Sequence, residues 1–378
     1  MNKHPNEFQN ESMQTSEISA AQSLWESLYT KGAVNTPELP ESQDMPWYIA
    51  LMQAGAAWIA AWFLLGFMVS LFDSLWGRFE GGAALFIGGS YLGLGLALYW
   101  GGRQQHFLQQ FAFASCLSGT LALAWGLFDL LGGAFNLAWY LSMAALFLLL
   151  WGIIKHTVAQ WVFAFGCSVC VTGLLAEWHL LSLTPTLWLL LSSIVLLNLH
   201  RTGHHYQRAR MWIFATSANL LTIQLMHVFS LDREFSQLYA VGWQSGITAI
   251  HLLVVFAICS FLLLSLCKQW QIPFTHPAIL FALLGLVLIS ALSLPMQGLS
   301  TAVLLILLGH YGHEAWLKGM GIASGLVFAA GYYYSLETTL MLKSLYLMGL
   351  GGVLIIARLL MWRYFPITQM QSAPKEQA

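Results

Sequence analysis

From Pro46 onward the chain alternates long apolar runs with short polar breaks. A helix needs about 20 mostly apolar residues to cross a bilayer. By that measure the pattern predicts twelve spans: residues 47–72, 80–100, 107–128, 134–154, 157–177, 183–200, 209–229, 243–267, 274–294, 298–313, 319–336 and 344–362. The sixth follows Pro185 and ends in polar residues, and the tenth is short and contains His310. Ten spans with two re-entrant pieces fit the same pattern. The expected fold class is therefore all-α, a polytopic integral membrane bundle of about 12 transmembrane helices with 10 as the alternative. The 318 residues from Pro46 to Arg363 leave connections of about six residues once ~20 are given to each helix, so no soluble catalytic domain fits between spans.

The first 45 residues break the pattern. They are polar and acidic, and no apolar run follows a basic start, so no cleavable signal peptide is expected. Within them Ala21, Leu24, Trp25 and Leu28 fall at helical spacing, which predicts a short amphipathic helix over 19–31 that Pro37, Pro40 and Pro46 separate from the bundle. The expected organisation is an acidic cytoplasmic tail (1–45), a transmembrane domain (46–363) and a short cytoplasmic tail (364–378).

Composition agrees with a membrane setting. The chain is 58% hydrophobic and 8% charged, against about 45–50% and about 25% in soluble domains. A net charge of −1 marks no nucleic-acid partner. Positive residues concentrate in cytoplasmic loops. With a cytoplasmic N-terminus, Arg103, Lys155, Arg201, Arg208, Arg210, Lys268, Lys318 and Arg363 fall inside, and only Arg78, Arg233 and Lys343 outside. That bias predicts cytoplasmic N- and C-termini and an even number of spans. The five cysteines lie in or beside apolar runs, and "CSVC" at Cys167–Cys170 has redox spacing without a second pair, so packing thiols are expected.

Several polar groups interrupt the apolar runs. In "GYYYSLETTLMLK", Tyr332, Tyr333 and Tyr334 end the eleventh span and Glu337 and Lys343 bracket the following turn. Interfacial aromatics settle at headgroup level, so the stretch reads as a membrane boundary; an outer vestibule contacting a ligand is the sharper alternative. Gly321, Gly325 and Ala329 form a small-residue stripe for a neighbouring helix. In "GHYGHE", His310, His313 and Glu314 would share one helical face, with zinc or proton chemistry set against plain interfacial polarity. Arg201, His204, Arg208 and Arg210 form the densest cationic loop, which suits anionic phospholipid headgroups as well as the ordinary inside charge bias. His251 within span eight is expected to hydrogen-bond to a neighbouring helix, Arg358 to snorkel, and Asn198 and Asn219 to bond between helices.

Every acid lies in a tail or near a span end, and the chain has no P-loop, nucleophile elbow, zincin motif or paired carboxylates. This lowers ion-coupled transport and counts against enzymatic chemistry. No catalytic residue, metal or cofactor is assigned.

"SLWESLYTKGAV", "MPWYIALMQAGAAWIAAWFLLGFM" and "GYYYSLETTLMLKSLYLMGLGGVLIIAR" together resemble the bacterial membrane family DUF 4401, a domain of unknown function related to DUF 2157. The likeness runs from the tail helix to the last span, and Tyr332, Tyr333, Tyr334, Glu337, Lys343 and Arg358 fall on the family's C-terminal pattern. It implies a bacterial inner-membrane protein without an established activity. It also implies a companion: a small membrane protein with a Gly-Asp-Tyr-x-x-Leu-x-Tyr motif. The expected function is a non-enzymatic membrane component assembling with that companion. The alternative is a transporter or lipid-handling protein whose polar path opens near Glu337 and Lys343.

Overall fold

The computed structural model describes residues 47–76, 81–102, 106–199, 203–228, 244–269, 277–292 and 297–335, with single positions within 25–32 and 341–359. Eleven α-helices occupy these segments, and no strand occurs among the described residues. In chain order they are α1 (Trp47–Trp76), α2 (Gly81–Gly101), α3 (His106–Leu130), α4 (Leu137–Ile153), α5 (Thr157–Glu177), α6 (Thr184–Leu197), α7 (Tyr206–Val228), α8 (Gln244–Gln269), α9 (Pro277–Leu292), α10 (Gln297–Tyr311) and α11 (Ala315–Ser335). Each overlaps one of the first eleven apolar runs. The twelfth run, 344–362, lies almost wholly outside the described residues, although Ser344, Met348, Gly352, Ile355 and Leu359 are helical. In the tail Trp25, Ser27, Tyr29 and Thr30 are helical too.

Among the described residues five helices, α1, α2, α3, α5 and α8, are long and apolar enough to cross a membrane. Among the others, α6 and α10 are short. At ~1.5 Å per residue, the 14 residues of α6 and the 15 of α10 cover less than a ~30 Å hydrocarbon core. These two are the sixth and tenth runs, already the weakest in the sequence. With 23 residues α7 is long enough, and it is the helix that carries Arg208, Arg210, Asn219 and Gln224.

The outside of the bundle is apolar. Met52, Ile59, Phe63 and Phe67 project from α1, with Phe63 77% exposed, while Ala57 and Ala61 are buried on its opposite face. Large exposed apolar surface is rare on soluble monomers and marks contact with a membrane or partner.

Small residues set the close packing inside. Along α2, Gly81, Gly88 and Gly95 repeat every seven residues, opposed on α3 by Gly126, Gly119 and Ala112 in antiparallel order. A methyl group at Gly88 would sit 2.7 Å from the Leu123 backbone nitrogen and 2.9 Å from the Gly119 carbonyl. At the end of this seam the Gly81 N–H donates to Asp129 Oδ2 at 2.6 Å, so the last turn of α3 caps the first turn of α2. The α10–α11 hairpin repeats the device: Gly309 abuts the Lys318 backbone and Gly321 abuts Ile306. Gly321 and Gly325 thus face α10, as the expected stripe requires. Ala329 is exposed instead, and Phe328, fully buried over Gly298, completes the contact.

Two substitutions test the α2–α3 seam. Gly88→Ala should destabilise the purified protein by about 1–3 kcal/mol, because the added methyl meets backbone. Gly89→Ala, with nothing within 4 Å, should be neutral or slightly stabilising, since alanine gains up to ~1 kcal/mol in a helix. Thermal unfolding followed by tryptophan fluorescence ranks the two; equal midpoints would contradict the seam.

Candidate functional site

Buried polar side chains gather at two places, and α7 contributes to both. The first lies at the start of α7. Chain reversal after α10 puts Gly312 and His313 in a turn, with His313 at φ +55°, and Glu314 then leads into α11. Its carbonyl accepts from Lys318 N at 3.1 Å and its carboxylate turns inward. Arg210 Nε lies 2.8 Å from Oε1 and 2.9 Å from Oε2 of Glu314, and the Tyr206 hydroxyl donates to Oε1 at 3.2 Å. Glu314 is 4% exposed. A buried carboxylate is tolerated where it is paired and hydrogen-bonded, and the first turn of α11 adds a favourable dipole. The Arg210 guanidinium also lies 5.4 Å from the centre of the Phe214 ring.

The same short segment reaches other helices. Arg208 Nη2 donates to the Gly152 carbonyl in the last turn of α4, and Gln207 Nε2 donates to Thr157 Oγ1 at the first residue of α5. Tyr206 to Arg210 therefore bind α4, α5 and the α10–α11 turn.

The second cluster lies at the opposite end of α7. Gln224 Nε2 donates to Thr301 Oγ1 at 2.8 Å, and Thr301 Oγ1 lies 3.2 Å from His251 Nε2. Across the ring, His251 Nδ1 lies 2.9 Å from Thr186 Oγ1. Thr186 is in the first turn of α6, His251 in the second or third turn of α8, Thr301 in the second turn of α10 and Gln224 near the end of α7. Four helices thus meet at one level. Gln224 Nε2 is a pure donor, so Thr301 Oγ1 accepts from it. Between the clusters, Thr172 on α5 accepts from Trp188 Nε1 and Asn219 Nδ2, and Ser192 and Thr216 bond at 2.9 Å.

The sequence-predicted residues fall as follows. Arg208 and Arg210 are joined to protein partners; His204 lies in a short 3₁₀ turn, and Arg201 is outside the described residues. Tyr332, Tyr333 and Tyr334 lie in the last turn of α11, while Glu337, Lys343 and Arg358 are outside the described residues. His310, His313 and Glu314 do not share a helical face, because α10 ends at Tyr311 and the turn sends Glu314 inward. Among the described residues no three His, Cys, Asp or Glu side chains are grouped to hold a metal. His251 and Asn219 bond between helices; Asn198 instead donates to Ile194 of its own helix. Cys167 and Cys170 are buried free thiols. Sequence reasoning missed Tyr206, Gln224, Thr186 and Thr301. The readable signal was Arg210, Ser217 and Gln224 recurring every seven residues in one helix.

A family model described as a domain of unknown function (DUF4401) matches residues 46–364, and the chain belongs to that family. No curated protein and no solved structure matches it.

Thr301→Val removes the hydroxyl that His251 and Gln224 share, and should cost about 1–3 kcal/mol by stranding buried polar atoms. Thr222→Val, whose hydroxyl bonds only to Ala218 of its own helix, should stay within ~0.5 kcal/mol. Denaturant titration in one detergent compares them, and similar losses would contradict the four-helix tie.

Proposed function

We propose that this chain is a multi-pass protein of the bacterial inner membrane, crossing it about twelve times with both termini cytoplasmic. In this reading it acts without catalysis, as a membrane component that assembles with a small companion membrane protein carrying a Gly-Asp-Tyr-x-x-Leu-x-Tyr motif. The observation that carries the reading is where the charged groups at the bundle's ends are committed. Arg208 caps α4, Arg210 and Glu314 join α7 to the α10–α11 turn, and Asp129 caps α2. Each spends its charge or hydrogen-bonding capacity on holding helices together, which is the work of a scaffold. The apolar outer surface supports the membrane setting, and the short connections between consecutive helices such as α4 and α5 support a protein that acts within it.

Native mass spectrometry of the tagged protein, extracted gently from its host membrane, tests this reading. A stoichiometric complex with a small membrane protein is expected. A lone chain carrying a discrete metabolite would overturn assembly and favour transport.

A further inference from the structure

Lys155 lies in the three-residue connection between α4 and α5, and its side chain is exposed. Its backbone N–H donates to the Tyr99 hydroxyl at 2.8 Å, which fixes this connection against the end of α2. From the other side, Arg208 Nη2 donates to the Gly152 carbonyl at 3.0 Å. One turn further along the same face of α7, Trp212 meets Trp151 with ring centroids 5.4 Å apart. Two cations and two indoles therefore gather where α4 ends and α5 begins.

The charge at this turn is not balanced. Among the described residues Arg210–Glu314 is the one ion pair, so neither Lys155 nor Arg208 has a carboxylate partner there. Arg208 gives one N–H to a neutral carbonyl and keeps its full charge. The helix ends cancel: the C-terminus of α4 supplies about half a negative charge, and the N-terminus of α5 beside it about half a positive one. His156 makes no side-chain cap for the first-turn N–H groups of α5. Trp151 Nε1 adds a buried donor that has no acceptor. The acids nearest in sequence stand elsewhere. Glu177 closes α5 about 30 Å away at ~1.5 Å per residue, and Asp129 caps the opposite end of α2.

We propose that the α4–α5 turn and the first turns of α7 form a binding site for the headgroup of an anionic phospholipid. The lipid phosphate accepts from the Lys155 ammonium and from the remaining N–H groups of Arg208, a charged donor set with no anion of its own. The lipid source follows from position: Ile153 and Trp100 are exposed beside the turn and offer apolar surface to acyl chains. The anionic class follows from charge. An ethanolamine headgroup brings a cation to a site that already carries two, whereas a glycerol headgroup leaves the phosphate charge uncompensated. Bound there, the phosphate joins the α4–α5 turn to α7 by a charged contact that the protein does not make by itself. The site depends on the membrane setting of the proposed function but needs no companion protein.

The test is native mass spectrometry of the full chain in detergent, titrated with phosphatidylglycerol or phosphatidylethanolamine. The wild-type chain is expected to bind one phosphatidylglycerol about tenfold tighter than phosphatidylethanolamine. Lys155→Gln should weaken the phosphatidylglycerol complex about tenfold, the size of one charge-assisted hydrogen bond. It should do so without loss of fold, since among the described residues Lys155 bonds through its backbone alone. Arg208→Gln should weaken the complex at least as far, with the size-exclusion profile as the check on folding. Lys268→Gln removes an exposed cation from the last turn of α8 and should leave binding unchanged. An equal loss with Lys268→Gln and Lys155→Gln would mean general charge attraction and overturn the proposal. Equal affinity for the two lipids overturns the anionic class, and displacement of the lipid by millimolar inorganic phosphate overturns the lipid source. Each lipid is added to the purified chain, so the outcome is separable from whether a companion is found.

Discussion

Glu314 places a carboxylate in the interior at the turn between α10 and α11, and that charge is stable because Arg210 reaches it from α7 across 104 residues of chain. Removing one member of such a buried pair leaves an uncompensated charge, at about 3–5 kcal/mol in a dry interior. Arg210 keeps 34% of its side chain exposed, so the penalty on its side is smaller. The rest of the architecture hangs on this position. Arg210 fixes the angle of α7 against the hairpin, and Gln207 and Arg208, one turn earlier, fix the same helix against α5 and α4. The first turns of α7 therefore join the part of the bundle built on α3–α5 to the part built on α6–α11.

Apolar burial alone does little to bring helices together in lipid, since the acyl chains are as apolar as leucine; close backbone contact and interhelical hydrogen bonds remain. The structure uses both and keeps them apart. α2 and α3 meet backbone to backbone along opposed glycines. α6, α7, α8 and α10 meet through Thr186, Gln224, His251 and Thr301. Polar residues need protein around them, which is why the most polar long helix, α7, is also deeply enclosed: Ile213, Ala215, Thr216, Ser217 and Leu220 are all essentially buried. An outward-facing helix such as α1 carries phenylalanine and tryptophan instead.

The order and extent of eleven helices were legible from apolar runs alone, because a run's length and its polar breaks are local properties. The all-helical class follows in the same way, whereas membership of DUF4401 was legible from particular stretches such as "GYYYSLETTLMLKSLYLMGLGG". Helix ends were less legible: the runs containing α6 and α10 overstate helices of 14 and 15 residues, since Leu181–Leu183 forms a separate 3₁₀ turn and His313 breaks the helix with a positive φ. Helical spacing put Glu314 on a face with His310 because spacing assumes that the helix continues. Pairing was the least legible property. Nothing near Glu314 in the sequence names Arg210, and nothing near Gln224 names Thr301. The seven-residue repeats of glycine in α2 and of polar residues in α7 show which face is special, but not what faces it. Of the expected outer turn, Tyr332, Tyr333 and Tyr334 fall in α11, whereas Glu337, Lys343 and Arg358 lie outside the described residues.

The joint at α7 depends most directly on Arg210 and Glu314 acting as one unit, and a double-mutant cycle measures that. Unfolding free energies in one detergent are needed for the native protein, Arg210→Gln, Glu314→Gln and the double substitution. A coupling of about 1–3 kcal/mol, with the double variant no worse than the poorer single one, is the result this structure predicts. Losses that add to within ~0.5 kcal/mol would show the two side chains to be independent, and α7 would then lose its place as the joint of the bundle.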